Sequence, residues 1–155
     1  MGKKSAGILL YRYVHGKCEV LLVHPGGPLH AKKDIGAWSI PKGEFTDEED
    51  PLAAAKREFL EELGQAPPGT NYTALQPIRQ KSGKLVYAWL AEGDIDTTRV
   101  VSNTFDFQWP PKSGRYITIP EVDKAEWFGP EVAKEKINPA QVALIEEMEK
   151  ILSLT

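Results

Sequence analysis

The sequence predicts a mixed α/β fold in one domain. Three observations predict it: two nearly continuous apolar runs at the N-terminus, a capped amphipathic helix at residues 51–63, and later strand-like runs closed by a C-terminal helix. Strands that feed a helix and then return as strands build a layered core. The 155 residues suit one such core, so residues 1–155 are expected to be a single domain.

The first strand is Ser5–Val14, where Ile8, Leu9, Leu10, Tyr11 and Tyr13 supply branched and aromatic bulk. His15-Gly16-Lys17 reads as a turn, and Glu19–His24 returns as a second strand, nearly continuous in apolar residues as a buried strand is. Pro25-Gly26-Gly27-Pro28 breaks regular structure, and a loop runs to about Ile35. Ala37–Ile40 is a short strand ended by Pro41. The helix is the best-specified element. Asp50 fits its N-cap, Pro51 its first turn and Gly64 its C-terminal stop. Leu52, Ala55, Phe59 and Leu63 recur at helical spacing and form its buried stripe. Tyr72–Gln80 and Leu85–Glu92 read as strands of a hairpin turning at Lys81-Ser82-Gly83-Lys84. Phe105, Phe107 and Trp109 alternate as a short strand that Pro110-Pro111 stops. Lys124–Phe128 is the last strand. The terminal helix starts near Asn138-Pro139 and runs to about Leu152, with Leu144, Met148 and Ile151 packing inside the chain or forming a dimer face.

Composition excludes several functions. With 19 Lys+Arg against 22 Asp+Glu the net charge is −3, which argues against a general nucleic-acid or anionic-membrane binder, since both need a basic face. Cys18 is the only cysteine, so neither an intramolecular disulfide nor a thiolate zinc cage can form. No apolar run approaches the ~18 residues of a membrane-spanning helix. The start Met1-Gly2-Lys3-Lys4-Ser5 has no secretory stretch. Ala6 stands where a myristoylation pattern on Gly2 wants Ser or Thr. A cytoplasmic protein acting on small molecules, monomeric or homodimeric, is expected.

The chemistry lies on the first helix. Glu58, Glu61 and Glu62 stand at i, i+3 and i+4, within one ~100° sector beside the buried stripe. Carboxylates this close raise one another's proton affinity, and a hard divalent cation removes the conflict. Mg²⁺ takes oxygen ligands and is commonly shared between carboxylates and substrate phosphates. Arg57, four residues before Glu61, is placed to orient it by a charge-assisted pair. Gly43 leaves room for a backbone carbonyl or a phosphate to come close. A solvated acidic face would also be rich in Glu, but here the three acids have little basic interleaving at i+4.

These residues sit in a longer pattern that resembles the Nudix box, G-x5-E-x7-R-E-U-x-E-E-x-G-U, where U is a bulky apolar residue. Gly43, Glu49, Arg57, Glu58, Glu61, Glu62 and Gly64 fill its fixed positions and Phe59 its first U, while Gln65 departs at the last U. At ordinary residue usage a chance match is on the order of 10⁻⁹ per start position. The order of strands around the box also looks like the Nudix α/β/α sandwich with its mixed sheet. The resemblance implies a hydrolase acting on phosphorus-containing acid anhydrides, with water attacking one phosphorus of a nucleoside diphosphate derivative. It implies Mg²⁺, for which Mn²⁺ can substitute, held by Glu58, Glu61, Glu62 and the backbone carbonyl of Lys42, one of the acids serving as base. Glu49 and Arg57 are expected to brace the loop and helix, with Gly43 and Gly64 structural. A further acid often comes from a late loop. Glu121, six residues before Trp127, is the first choice, and Asp123 and Glu126 are the alternatives.

On the substrate side, Trp38-Ser39-Ile40-Pro41-Lys42-Gly43 looks like the W-x-x-P-K-G segment of several Nudix branches, dinucleoside polyphosphate hydrolases among them. Trp38 is a candidate for stacking on a base, or else a core residue. Lys42 and Lys81 are candidate phosphate contacts, as are Lys4, Arg79, Lys112 and Arg115. Phe105, Phe107 and Trp109 form either an aromatic wall for a base or sheet packing. His24 and His30 lack metal-ligand spacing. The whole chain is similar to bacterial members described only as predicted NTP pyrophosphohydrolases, so the substrates expected are nucleoside triphosphates or dinucleoside polyphosphates. The alternative is a catalytically silent Nudix-fold module that binds a nucleotide without cleaving it.

Overall fold

A computed structural model describes residues 3–154. Gly2, read above for lipidation, lies outside the described residues. Among the described residues, nine strands and three α-helices follow in the order β1 (Lys4–Val14), β2 (Lys17–Pro25), β3 (Lys42–Phe45), α1 (Pro51–Leu63), β4 (Thr73–Ala74), β5 (Ile78–Arg79), β6 (Leu85–Glu92), β7 (Thr104–Gln108), β8 (Tyr116–Pro120), β9 (Val122–Phe128), α2 (Pro130–Lys136) and α3 (Val142–Ile151).

The sheet runs β4-β6-β1-β2-β9, with β1 and β6 parallel and the other pairs antiparallel. One edge of β1 pairs with β6 from Lys4 to Tyr11. Its other edge is divided: Lys4–Gly7 pairs with β3 and Tyr11–Val14 with β2. The sheet therefore splits between β2 and β3, and the site lies beside that split.

Alternate residues explain the continuous apolar runs. Ile8, Leu10, Leu21 and Val23 pack against α1 through Ala54, Ala55, Phe59 and Leu63. Leu9, Val20, Leu22, Val86 and Ala88 pack on the other face with Ala133, Ile137, Leu144, Ile145 and Met148. Strands covered on both faces carry apolar residues at every position. The result is the expected α/β/α sandwich around a mixed sheet. Among the described residues, no helix is long and apolar enough to cross a membrane.

Several elements differ from the sequence expectation. Tyr72–Gln80 forms only two two-residue pairings, β4 and β5, because Pro77 has no N–H and Gln76 N–H turns to Glu147 Oε1 (2.8 Å). Ala37–Ile40 makes isolated bridges, Ser39 to Val23 and Trp38 to Ile137, rather than a ladder. β3, β8 and α2 were unforeseen. Of the expected C-terminal stripe, Leu144 and Met148 are fully buried, while Ile151 stays 45% exposed.

Candidate active site

The buried face of α1 is not wholly apolar. Glu58 and Glu62, one turn apart, are 7% and 8% exposed beside Phe59 and Leu63. Buried carboxylates are costly without partners, and the neighbouring elements supply some. Gly43 of β3 faces Glu58: a Cβ there would come within 2.5 Å of both its carboxylate oxygens, so only glycine lets the acid lie against the strand. The next backbone group, Lys42 N–H, donates to Glu62 Oε1 (3.3 Å).

Glu121, at the junction of β8 and β9, supplies a third acid. One oxygen from each of Glu58, Glu62 and Glu121 lies within 4.8 Å of the others. The stretch 101–103 delivers it. The last carbonyls of a helix have no partner within the helix. Here Val101 N–H donates to Leu63 C=O (3.1 Å) and Asn103 N–H to Glu61 C=O (2.8 Å). Asn103 C=O then accepts from Glu121 N–H (2.9 Å). Ser102 Oγ accepts from Val122 N–H (3.0 Å) and donates to Asn103 C=O (2.9 Å). Gly64 ends α1 in the left-handed region at φ 72°, and a Cβ there would collide with the carbonyl of Val101. The same glycine thus stops the helix and admits the chain that positions Glu121.

Arg57 braces the other side. Its Nε and Nη2 donate to the two oxygens of Glu49 (2.8 and 2.9 Å). Its Nη1 donates to Glu58 Oε1 (2.8 Å) and Glu61 Oε2 (3.2 Å). This fork-to-carboxylate pairing fixes geometry as well as charge. It holds the Glu49 carboxyl below the usual range.

The electrostatics of the three acids are those of an uncompensated site. Burial, then the charges of Glu58 and Glu121, push the Glu62 carboxyl well above the usual carboxylate range. Burial and Glu61 raise Glu58 against the opposing pull of Arg57. Burial and Glu61 also raise Glu121. Lys42 answers only in part, because burial, followed by the charge of Lys84, depresses its ammonium. Three converging carboxylates, all oxygen donors and short of positive charge, fit a hard divalent cation. A cavity of about 140 Å³ lined by Ser39, Lys42, Glu62 and Glu121 adjoins them.

Not every expected residue is here. Glu61 lies beside the trio in the grip of Arg57, although its charge reaches Glu58 and Glu121. Trp38 is corrected: it is 1% exposed and packs with Leu144 and Ile145 in the layer across the sheet from α1. Its Nε1 donates to Asp34 Oδ1 (2.8 Å) and its ring meets His24 and Phe128 edge-on. No face is left for a base. Lys81 is exposed at the turn between β5 and β6, and Lys84 from that turn reaches β3 through Glu44 Oε2 (3.1 Å). Lys4 pairs with Asp47, and Arg79 donates to Gly83 C=O (2.8 Å). Lys112 and Arg115 are exposed beyond the end of β7. Of the alternatives to Glu121, Asp123 binds His24 Nδ1 (2.9 Å) and Glu126 is exposed on β9.

Ser102 and Asn103 went unforeseen because they act through backbone groups and one hydroxyl, without a motif. Ser102→Ala removes the hydroxyl that ties β9 to this stretch. It is expected to raise the Mg²⁺ concentration for half-maximal turnover by roughly tenfold, the low end for residues that orient ligands. Ser102→Thr should restore it. An Mg²⁺ titration in which Ser102→Ala matches the wild type would reduce Ser102 to a loop residue.

Comparison with known proteins bears on the fold and the family. The family model of the NUDIX domain matches residues 1–148. The crystal structure of a C. elegans Ap4A hydrolase is similar at 25% identity and a TM-score of 0.63, covering 98% of this chain and 99% of that one. A binary complex of the C. elegans enzyme gives 24% identity and a TM-score of 0.68, over 96% and 98% of the two chains. The NUDIX domain of Shewanella oneidensis NrtR, complexed with ADP ribose, gives 18% identity and a TM-score of 0.68, over 98% and 89%. With the family model covering nearly the whole sequence, the chain belongs to the NUDIX family.

Proposed function

We propose that residues 1–155 form one catalytic domain, a divalent-cation-dependent pyrophosphohydrolase of nucleoside triphosphates or dinucleoside polyphosphates. The observation that supports it most is the convergence of Glu58, Glu62 and Glu121 within 4.8 Å. Glu58, Glu62 and Glu121 would hold the cation, with Glu61 and the carbonyl of Lys42 as further donors. Mg²⁺ or Mn²⁺, when bound, neutralises charge on the phosphoryl oxygens and lowers the pKa of water toward neutrality. The rest is done by side chains. Arg57 fixes Glu58 and Glu61 in place through its contact with Glu49. Lys42 places a positive charge on the wall of the adjoining cavity, where it meets a substrate phosphate. One of the carboxylates accepts the proton that water loses.

The likeness to an Ap4A hydrolase makes dinucleoside polyphosphates the class to test first. The test is a screen with Mg²⁺ and then Mn²⁺ over dinucleoside polyphosphates, nucleoside triphosphates, ADP-ribose and nucleotide sugars, with products separated by chromatography. Cation-dependent cleavage of a phosphoanhydride in one of the first two classes is expected. Tight binding of the same compounds without turnover would replace this reading with a nucleotide-binding module.

A further inference from the structure

Glu121 borders two cavities. One is the polar space beside Lys42 and Glu62. The other, of about 120 Å³, lies between the loop from Pro25 to His30 and the two-stranded ribbon of β7 and β8. Pro25 and Glu121 line both, so the second space continues from the first.

Its walls differ from those of the acid site. The ribbon register pairs Phe105 with Ile119 and Phe107 with Ile117, which places these four on one face. Phe105, Phe107 and Ile119 line the cavity, with Leu29 and His30 among its other walls. Trp109 stacks behind Phe107, ring centroids 6.2 Å apart at 21°. Phe105 remains 44% exposed, a large apolar surface left open next to a charged site. Hydrogen-bonding groups are scarce. Gly26 N–H is already engaged by Glu121 C=O (3.1 Å) and Gly27 C=O by His30 N–H (3.2 Å). Pro25 and Pro28 have no N–H to offer. Apart from Glu121, the imidazole of His30 is the one polar side chain on the wall.

We propose that this cavity is a base subsite that holds the heteroaromatic ring of the nucleotide by stacking on Phe105 and Phe107, reading the face of the ring and not its edge. The assignment rests on the proposed nucleotide hydrolase, whose phosphates lie across Glu121 at the acids. Every base has a π-face, so stacking favours bases in general. Strong discrimination needs buried polar groups that the wrong base leaves unpaired, and these walls provide almost none. The enzyme is therefore tolerant of base identity while it requires a base.

The test is calorimetry in Mg²⁺ with AMP, GMP, CMP and UMP against ribose 5-phosphate, which carries the phosphate and no base. Wild type is expected to bind AMP roughly 10–100-fold more tightly than ribose 5-phosphate, the range of one aromatic stack. The four nucleotides are expected to agree within about tenfold. Phe107→Ala should collapse the AMP preference to near unity, and Phe107→Tyr should keep it. A preference that survives Phe107→Ala overturns the subsite. So does a wild type that binds ribose 5-phosphate as well as AMP, or one base favoured more than about 100-fold. Binding needs no turnover, so this result stands apart from the hydrolysis screen. Cleavage without a base preference retains the function and removes the subsite, and the reverse removes only the catalysis.

Discussion

Glu62→Gln is expected to cut turnover by orders of magnitude and, at neutral pH without a divalent cation, to make the protein more stable. The two effects have one cause. Glu62 is 8% exposed, and its carboxyl is pushed well above the ordinary value of 4.5 by burial and by Glu58 and Glu121. The folded state therefore binds this proton more tightly than the unfolded chain does. Stability from this group is complete below about pH 4.5 and is lost as pH rises through the raised folded value. At neutral pH the wild type thus carries a buried charge conflict that only a cation relieves. Glutamine keeps the oxygen that accepts from Lys42 N–H and removes the charge. A gain on the order of 1–3 kcal/mol is expected, by analogy with neutralised buried ion sites. At this chain length each kcal/mol raises Tm by about 2–4 °C. Turnover should fall by about 10²–10³-fold or more, the effect of removing one preorganised charged group. Thermal melts from pH 4 to pH 8, with and without Mg²⁺, check both halves. Wild type should lose stability as pH rises and recover it with Mg²⁺, by about 2.7 kcal/mol at 100 times the dissociation constant. Glu62→Gln should be flatter with pH and nearly indifferent to Mg²⁺. Equal Mg²⁺ stabilisation of the two proteins would remove Glu62 from the cation site.

The same burial explains what was legible in the sequence. Strands covered on both faces wrote their layers as continuous apolar runs, so β1 and β2 could be read from Ile8, Leu9, Leu21 and Leu22, while the sandwich came from the family resemblance. α1 was legible to its ends because Asp50, Pro51 and Gly64 are capping chemistry, and Asp50 does accept from Ala53 N–H (3.0 Å). α2 was not legible, because it buries one residue, Ala133, and one point makes no period. β8 escaped because only Ile119 of its five residues is buried. A ribbon outside the main sheet has little alternation to impose.

In the site, the sequence located the acids but did not separate them. Glu58, Glu61 and Glu62 are equivalent by spacing. Their environments differ because Gly43 opens the wall over Glu58, Lys42 N–H meets Glu62, and Glu61 stays outside the trio with Arg57 as its partner. Trp38 was left between a base contact and a core residue for a related reason. Four residues before Lys42, it is near the site in sequence, yet it enters the layer on the far face, which no local pattern records. Glu121 could be picked out only through the family resemblance, by its distance from Trp127. The chain that carries it to α1 could not, since it runs through the main-chain groups of Val101 and Asn103.

Gly43 gives the second large effect, through geometry rather than charge. Gly43→Ala adds one methyl group on β3, where Gly43 pairs with Ala6 of β1. That methyl would lie within 2.5 Å of both oxygens of Glu58, well inside contact distance. β3 is held by β1, so the strand gives less readily than the side chain. Glu58 must turn away from Glu62 and Glu121, and its bond to Arg57 Nη1 (2.8 Å) lengthens or breaks. Displacing a catalytic group by about 1 Å costs on the order of 10²-fold, and that loss of kcat/KM is expected here, together with a higher Mg²⁺ requirement. Overpacking in a filled site typically costs about 1–3 kcal/mol, so the fold should survive. The double variant Gly43→Ala with Glu58→Gln separates this account from a general disturbance of β3. If the methyl acts only by moving Glu58, then once Glu58 has lost its charge, adding the methyl should change turnover little. Two full losses that multiply would mean that Gly43 serves the site by another route, such as the close approach of a phosphate to the strand itself.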